Sequence, residues 1–235
     1  MLIDSQPAFV LHSRPYRDSS MLVELITEDY GRVSGVVKGV RGAGKTAKQR
    51  RSLIQPFIPL VIGWGGNSDL KSVTRYELQA APVSLQGERL FSGIYINELY
   101  TRLLQHYDEN PHWYWLYREA LTELCGLEPV DIVLRCFELA LLQELGYGVD
   151  LTQEGDSGAR IVADQAYYLD ADCGFVRCRQ IPEKPPANLF PGADLLAIAA
   201  REFSDSARRS AKRLCRMLLA SHLGDKPLKS RELFR

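Results

Sequence analysis

The sequence has no apolar run that approaches the length of a membrane-spanning helix, and its first ten residues lack the basic and apolar regions of a secretory signal. Its five cysteines are an odd number scattered along the chain, unlike the disulfide framework of a small secreted protein. These absences exclude membrane-spanning and disulfide-stapled classes. We therefore expect a cytoplasmic protein that does not contact the membrane.

The sequence also lacks a pattern typical of a metal site or a catalytic centre. Cys173 and Cys178 are separated by four residues, but zinc needs four ligands and no second pair precedes them in residues 147–160. The histidines share no ligand spacing, and no pair of carboxylates stands out. We expect no metal, no cofactor and no catalytic residue.

Charge is unevenly distributed, although the 29 basic and 29 acidic residues cancel. Residues 1–82 carry 11 Lys or Arg against 7 Asp or Glu, residues 83–200 carry 8 against 18, and residues 201–235 carry 10 against 4. Two basic ends therefore flank an acidic middle. This pattern favours a polyanion as partner for the ends.

The first 80 residues alternate between short apolar runs and turn-forming residues, which is typical of strands. The runs are residues 8–12, 21–27, 32–40, 53–63 and 70–78. Five short strands with glycine at the bends predict a small closed barrel of the OB type.

After Pro82 the apolar spacing becomes helical. Helices are predicted at residues 90–107, 111–126, 130–145, 194–201 and 205–222. Residues 147–190 interrupt them with a Gly-, Asp- and Pro-rich insert that holds one hairpin, at 166–169 and 174–177, and an irregular connection at 182–191. The expected fold is thus α+β, with a barrel domain at 1–80 and a mostly helical domain at 83–235 that contains a small, metal-free insert.

The strongest candidate for a nucleic-acid interface lies in residues 31–68, which contain no Asp or Glu. The segment GVRGAGKTAKQRR predicts a flexible cationic loop between two strands, and such cations bind backbone phosphates. Trp64, in a Gly-flanked turn, is the candidate for stacking on bases. A solvated loop without function is the alternative. The candidate cations are Lys38, Arg41, Lys45, Lys48, Arg50 and Arg51.

A second basic surface is predicted on the helix at residues 205–222. Arg208, Lys212 and Arg216 follow helical spacing, and Arg209 and Arg213 run beside them. Like charges on one face repel each other unless an anion is bound. DNA or an acidic peptide would fit this face, and a solvated face is the alternative.

The stretch from Gly39 to Thr46, GVRGAGKT, matches the pattern of a nucleotide-binding P-loop. A P-loop needs a well-packed helix after the glycines. Pro56 and Pro59 argue against such a helix, and no apolar strand ends in an Asp that could hold magnesium. A P-loop nucleotide hydrolase is kept as an alternative function.

Several collinear segments are similar to the RecO recombination mediators. They are AFVLHSRPYRDSSMLVELITEDYGRVSGVVKGVRG, LIQPFIPLVIGWGG, SGIYINELYTRLL, RCFELALLQELGYGVDL and KPLKSRELFR. The resemblance implies an N-terminal OB-fold, a helical C-terminal domain, and an insert that holds zinc in some relatives through two Cys pairs. Only Cys173 and Cys178 are present here, so this chain departs from the zinc-bearing pattern.

The resemblance also implies a function without enzymatic chemistry in bacterial DNA repair and recombination, at the nucleoid. Family members bind single-stranded DNA, anneal complementary strands, and act with RecR to help RecA replace single-strand-binding protein. They recognise the acidic C-terminal tail of that protein, and Arg135, Arg209 and Arg213 are the candidates for this contact. A protein-only adaptor is a further alternative.

Overall fold

In the computed structural model, which describes residues 2–234, the first part of the chain forms a five-stranded barrel. The strands close in the order β1-β2-β3-β5-β4, with β4 returning to β1. This confirms the predicted OB-like barrel. The bounds are β1 Leu2–Tyr16, β2 Ser20–Thr27, β3 Gly31–Val37, β4 Leu60–Gly65 and β5 Lys71–Leu78.

The barrel closes because β1 is long enough to pair with two strands. It is 15 residues long, pairs with β2 through its second half and with β4 through its first half, and has an irregular register between Val10 and His12. Such an irregularity bends a strand and increases its twist. On the other side, β3 and β5 pair in parallel over a short seam, Gly35 with Lys71 and Val36 with Ser72.

The barrel core is filled by inward-facing residues of alternating position. On β4, Leu60, Ile62 and Trp64 are all buried, as the two-residue period of a strand requires. Gly63 lies between them because a Cβ there would stand 2.7 Å from the backbone oxygen of Asp4 on β1. The glycine therefore allows two backbones to approach closely.

The predicted fourth strand, residues 53–63, is wrong in its first half. A helix, α1 (Lys45–Leu53), replaces part of the expected loop and ends at the first of these residues. A turn with Phe57 at φ 68° then leads into β4 at Leu60. Lys, Gln, Arg and Ala in KTAKQRR are good helix formers, and Pro56 and Pro59 follow this helix rather than interrupt it.

The remaining chain is mostly helical, as predicted. The helices are α2 Gly87–Leu103, α3 His112–Cys125, α4 Val130–Glu144, α5 Gly192–Ala199 and α6 Asp205–Leu223, followed by a 3₁₀ helix at Lys229–Phe234. At the start of α6 the hydroxyl of Ser204 accepts a hydrogen bond from the backbone N–H of Ala207, and Gly224 at φ 64° ends it. Serine at the N-cap and glycine after the last turn are residues preferred at these positions.

The insert is more regular than predicted. The hairpin is confirmed as β6 (Ala166–Asp170) and β7 (Gly174–Arg177). The connection predicted to be irregular contains a third strand, β8 (Leu189–Pro191), which pairs with β6. Four prolines at 182–191, one of them the last residue of this short strand, weakened the sequence signal. The strand forms because Phe190 is buried against Phe175.

Packing divides the chain into two compact units. The first joins the barrel, α2, α3 and the residues from Lys226 onward, and the second comprises Pro129–Asp225. The domain division predicted at residues 80–83 is based on the change from strands to helices, not on packing. It stays a prediction. The first unit extends beyond that division because α2 and α3 cover one side of the barrel.

Buried polar groups connect α2 to the barrel. The side-chain amide of Asn97 donates to the backbone oxygen of Leu11 on β1 at 2.9 Å, and the Tyr117 hydroxyl donates to the Asn97 oxygen at 2.7 Å. All three residues are buried. Burial raises the pKa of Tyr117 far above its ordinary value, so its hydroxyl keeps the proton it donates.

The end of the chain is fixed to α2 by a carboxylate. Glu98 accepts hydrogen bonds from the backbone N–H groups of Lys229 and Ser230 and from the Ser230 hydroxyl, at 2.6–2.9 Å. Partial burial alone would raise the pKa of Glu98, but these hydrogen bonds hold it below its ordinary value. The contact therefore needs the ionised carboxylate and caps the 3₁₀ helix.

Candidate nucleic-acid interface

One end of the barrel carries the cations singled out in the sequence. We call residues 38–51, between β3 and the end of α1, the basic segment. Its six predicted cations are all exposed, and none forms an ion pair with another residue of 2–234. They are Lys38, Arg41, Lys45, Lys48, Arg50 and Arg51. Unpaired exposed cations attract the phosphates of a nucleic acid at long range.

The first part of the basic segment is fastened to the β1–β2 turn. The backbone N–H groups of Val40 and Arg41 both donate to the oxygen of Ser19, at 2.9 and 3.1 Å. The Arg41 guanidinium donates to the backbone oxygen of Arg17, itself an exposed cation. Two loops of the barrel thus bring Arg17 and Arg41 together. Arg17 adds a cation beside the basic segment that the sequence did not reveal.

The second part is helix α1, where the sequence predicted a loop. None of its nine residues is buried, and its last turn carries Arg50 and Arg51. Cations at the C-terminal end of a helix interact favourably with its dipole. The helix therefore holds four cations in fixed relative positions with few apolar contacts below them.

The local order of strand, glycine turn and helix resembles a P-loop more than the sequence indicated. The helix after GVRGAGKT nevertheless fails the packing requirement, since it is short and has no buried residue. It also follows β3, which pairs antiparallel with β2 along its whole length and in parallel with β5 over only two residues, rather than a central strand of a parallel sheet. The expectation that no well-packed helix follows the motif is therefore in agreement with the structure.

Trp64 does not lie where the sequence-based hypothesis needs it. Its side chain is 2% exposed and packs edge-on against Tyr30 inside the barrel, with ring centroids 5.4 Å apart. The expectation that the Gly-flanked turn exposes this ring is wrong, because Trp64 continues the inward alternation of Leu60 and Ile62. A ring in the core cannot stack on a base while the barrel is folded.

An aromatic ring that does contact α1 is Tyr76 of β5. Tyr76 is half-buried, and the Arg50 guanidinium carbon lies 5.7 Å from its ring centroid. Arg50 Nε also donates to the Tyr76 hydroxyl at 2.9 Å. No pattern in the sequence distinguishes Tyr76, and only the fold places it beside the basic segment.

The outer face of β2 and β3 is occupied by a polar network at the end of α2. Glu24 pairs with Arg32 at 2.9 Å, accepts from the Ser34 hydroxyl at 2.6 Å, and contacts His106 at 3.1 Å. Arg32 also donates to backbone oxygens at the end of α2, those of Thr101 and Leu104. This face of the barrel is therefore engaged in contacts within the unit.

The network neutralises the charge of Arg32. Partial burial would raise the pKa of Glu24, but the Ser34 hydrogen bond and the Arg32 charge together lower it below its ordinary value. Glu24 stays ionised and its charge offsets that of Arg32. Arg32 consequently differs from the six cations of the basic segment.

The structure divides the five cations of α6 into two groups. Arg208 makes two hydrogen bonds to Asp131, at 2.5 and 2.7 Å, which lower the pKa of that carboxyl. Arg213 donates to the backbone oxygen of Leu189, and its guanidinium carbon lies 4.3 Å from the Phe190 ring centroid. Both are half-buried, whereas Arg209, Lys212 and Arg216 are exposed. The predicted continuous basic face is therefore smaller than the spacing indicated.

A cavity of about 510 Å³ lies between the first half of α6 and the small sheet. Arg209 and Arg213 line it together with apolar side chains that include Ile181 and Leu189. The third tail candidate, Arg135, is buried in α4 and pairs with Glu138 at 2.7 Å. A buried and paired guanidinium offers little charge to a peptide, so the expected accessibility of Arg135 is wrong.

The two cysteines of the insert lie in different surroundings. Cys173 is exposed and donates to Asp170, while Cys178 is buried and donates to the backbone oxygen of Gln180. Within residues 2–234 no group of three or more His, Cys, Asp or Glu side chains is placed to hold a metal ion. The residues present do not supply the four ligands that zinc would need.

The described residues contain no helix that is both long and apolar enough to cross a membrane. The barrel order and the helical region with its small sheet define the class: a two-part protein with an N-terminal OB-like barrel. Two family models match the chain, "Recombination protein O N terminal" over residues 1–81 and "Recombination protein O C terminal" over residues 84–232. The chain belongs to the RecO family of DNA repair proteins.

Full-length relatives agree with the family models. The DNA repair protein RecO of Haemophilus influenzae strain 86-028NP is 44% identical over 236 residues, covering 100% of this chain and 97% of the relative. The protein of the same name from Cellvibrio japonicus is 42% identical, with coverage of 100% and 98%. That from Coxiella burnetii is 40% identical over 229 residues, with coverage of 97% and 96%.

Proposed function

We propose that this chain is a non-enzymatic recombination mediator that binds single-stranded DNA and promotes annealing of complementary strands. It would act with RecR and help RecA load onto DNA that is covered by single-strand-binding protein. The observation that carries the proposal is the basic segment, whose six exposed cations form no ion pair within residues 2–234 and lie at one end of an OB-like barrel. The family resemblance supports the same assignment.

The physical basis of binding is the release of counterions from the phosphate backbone. Each phosphate that a Lys or Arg neutralises releases condensed cations, so affinity falls steeply with salt. Neutralised strands also repel each other less, and annealing can therefore proceed without a catalytic group. Gly42 and Gly44, between the fastened residues Val40 and Arg41 and the start of α1, would let the helix and its cations adjust to a pliable single strand.

The proposal is tested by fluorescence anisotropy of labelled oligothymidine across a salt series, with and without ATP and magnesium. We expect tight binding at low salt that weakens steeply as salt rises and does not respond to ATP. Binding that requires ATP and Lys45 would favour the P-loop hydrolase. Absence of binding at low salt would favour the protein-only adaptor and contradict the proposal.

The acidic tail of single-strand-binding protein would occupy the cavity beside α6. Arg209 and Arg213 line the cavity and would attract carboxylates, and Ile181 and Leu189 would contact apolar side chains. Asp164 and Asp194 also line it, and Asp194 accepts hydrogen bonds from the hydroxyls of Ser206 and Ser210. Arg213 Nε is buried without a hydrogen-bond partner among the described residues. An unsatisfied buried donor of this kind favours a ligand that supplies an acceptor.

Lys212 and Arg216 test whether α6 contributes to DNA binding. Replacing both by Glu removes two exposed cations without breaking an ion pair, and we expect affinity for oligothymidine to fall by about tenfold or more at 0.1 M salt. The control is Arg208→Gln, which breaks the pair with Asp131 but removes only a charge that is already neutralised. Unchanged affinity and salt dependence in Lys212→Glu/Arg216→Glu would make α6 a solvated face.

A further inference from the structure

The burial of Trp64 leaves the barrel without the base-stacking residue that the sequence suggested. Among the other barrel aromatics, Phe9 and Phe57 are buried, and Tyr30 packs on Trp64. Tyr16 and Tyr76 remain half-buried at the surface. Of these two, Tyr76 contacts α1, the helix that holds four cations of the basic segment.

In the unbound protein the Arg50 guanidinium lies on the Tyr76 ring, where a nucleobase could otherwise stack. The guanidinium lies over the ring at 5.7 Å and its Nε donates to the hydroxyl at 2.9 Å. Arg50 is exposed, so solvent competes with both interactions and they are weak. A nucleobase can take the place of the guanidinium on the ring, because its flat π-face interacts with tyrosine in the same geometry.

The displaced Arg50 would gain a better partner in the same step. A single strand that brings a base to Tyr76 also brings the adjoining phosphates, and a charge-assisted hydrogen bond to phosphate is stronger than one to a neutral hydroxyl. Since none of the residues of α1 is buried, moving its side chains costs little packing. The exchange replaces two weak contacts by one ion pair and one stacking contact.

We propose that Tyr76 is a nucleobase-stacking subsite, uncovered when Arg50 transfers from its ring to a backbone phosphate. The inference rests on the proposed function, since it assigns one unpaired base of the bound strand to a place on the barrel. The site accepts any base, because every base has a π-face. It excludes bases within a duplex, whose faces are already covered by their neighbours.

The test compares oligothymidine with an abasic oligonucleotide of equal length, about twenty nucleotides, which carries the phosphates but no bases. For the unmodified protein we expect oligothymidine to bind about tenfold more tightly than the abasic strand. Tyr76→Leu should remove this preference and leave the abasic affinity and its salt dependence unchanged. Tyr76→Phe keeps the ring and should keep the preference.

Tyr16 supplies the matched control. It is also half-buried and also lies under an arginine, Arg17 at 5.2 Å, but within residues 2–234 it makes no hydrogen bond or cation–π contact with α1. Tyr16→Leu should therefore leave the preference for oligothymidine in place. Loss of the preference in Tyr16→Leu together with its retention in Tyr76→Leu would overturn the assignment of the subsite to Tyr76.

Tyr76 also packs against the barrel core, so a second measurement avoids its substitution. Photocrosslinking of 5-iodouracil in an oligothymidine strand to the unmodified protein should give its main adduct at Tyr76, and a main adduct on another residue would overturn the inference. Equal binding of thymidine and abasic strands would overturn this inference alone. Failure of both strands to bind would instead contradict the proposed function.

Discussion

Replacing Lys45, Lys48, Arg50 and Arg51 together by alanine is expected to weaken binding of oligothymidine by about two orders of magnitude at 0.1 M salt. These four side chains are exposed on α1 and unpaired with any described acidic group. Alanine favours the helical conformation, so the substitutions remove charge without unfolding α1. The measurement is anisotropy over a salt series.

The salt dependence is the more informative readout of this variant. For single strands the slope of log affinity against log salt changes by about 0.7 for each phosphate that is no longer neutralised, so removing four cations should make the slope shallower by about 3. A change in affinity at constant slope would mean that the substitutions acted on something other than phosphates.

A control variant removes cations that no proposal assigns to DNA. Arg160, Arg179 and Lys184 are exposed residues of the insert, and their joint replacement by alanine lowers the net charge by three. We expect a small effect from this variant, because none of the three cations belongs to the basic segment or to α6. An equal loss of affinity per charge in both variants would remove the basic segment from the DNA interface.

Replacing Asn97 by alanine is expected to lower the free energy of unfolding by about 3 kcal/mol, measured by urea denaturation. The substitution removes the amide that donates to Leu11 and accepts from Tyr117, and both partners stay buried without their hydrogen bonds. Each buried group left unsatisfied costs about 1–3 kcal/mol. The barrel would thereby lose its polar connection to α2.

Tyr117→Phe separates the two hydrogen bonds of this network. It removes the hydroxyl but leaves the Asn97 amide on Leu11, so we expect roughly half of the loss seen in Asn97→Ala. Oligothymidine affinity of both variants should stay unchanged at temperatures where they remain folded, since neither residue lies in the basic segment. If the free energy of unfolding of Asn97→Ala is within about 0.5 kcal/mol of that of the unmodified protein, these hydrogen bonds do not stabilise the barrel.

The positions of most secondary-structure elements followed from local patterns. The apolar period predicted α6 to within a residue of its ends. The side of the helix that packs is less fully covered toward its C-terminal end. Leu218 is only half-buried, and His222 stacks on Tyr147 with ring centroids 3.6 Å apart. A helical period identifies the face that packs, whereas the neighbours that cover each position are fixed by the rest of the chain.

The candidate interface was predictable in composition but not in geometry. The absence of acidic residues from positions 31–68 is a property of the sequence, and it identified the six cations that the structure exposes. That they lie partly on a helix was missed, because two prolines after Leu53 were taken to oppose the helix that precedes them. Proline restricts the residue before it, and α1 ends before that restriction applies.

The sequence by itself determined the barrel, the helices, the charge of the basic segment and the resemblance to a family, since these depend on residue type and short-range spacing. Only the tertiary structure decided which side chains are available to a ligand. It buried Trp64, paired Arg208 with Asp131, placed Arg213 on Phe190, and brought Tyr76 under Arg50. Asp131 and Arg208 are 77 residues apart in the chain, and Arg50 and Tyr76 are 26 apart. Charge neutralisation and burial depend on such distant neighbours, which no local pattern specifies.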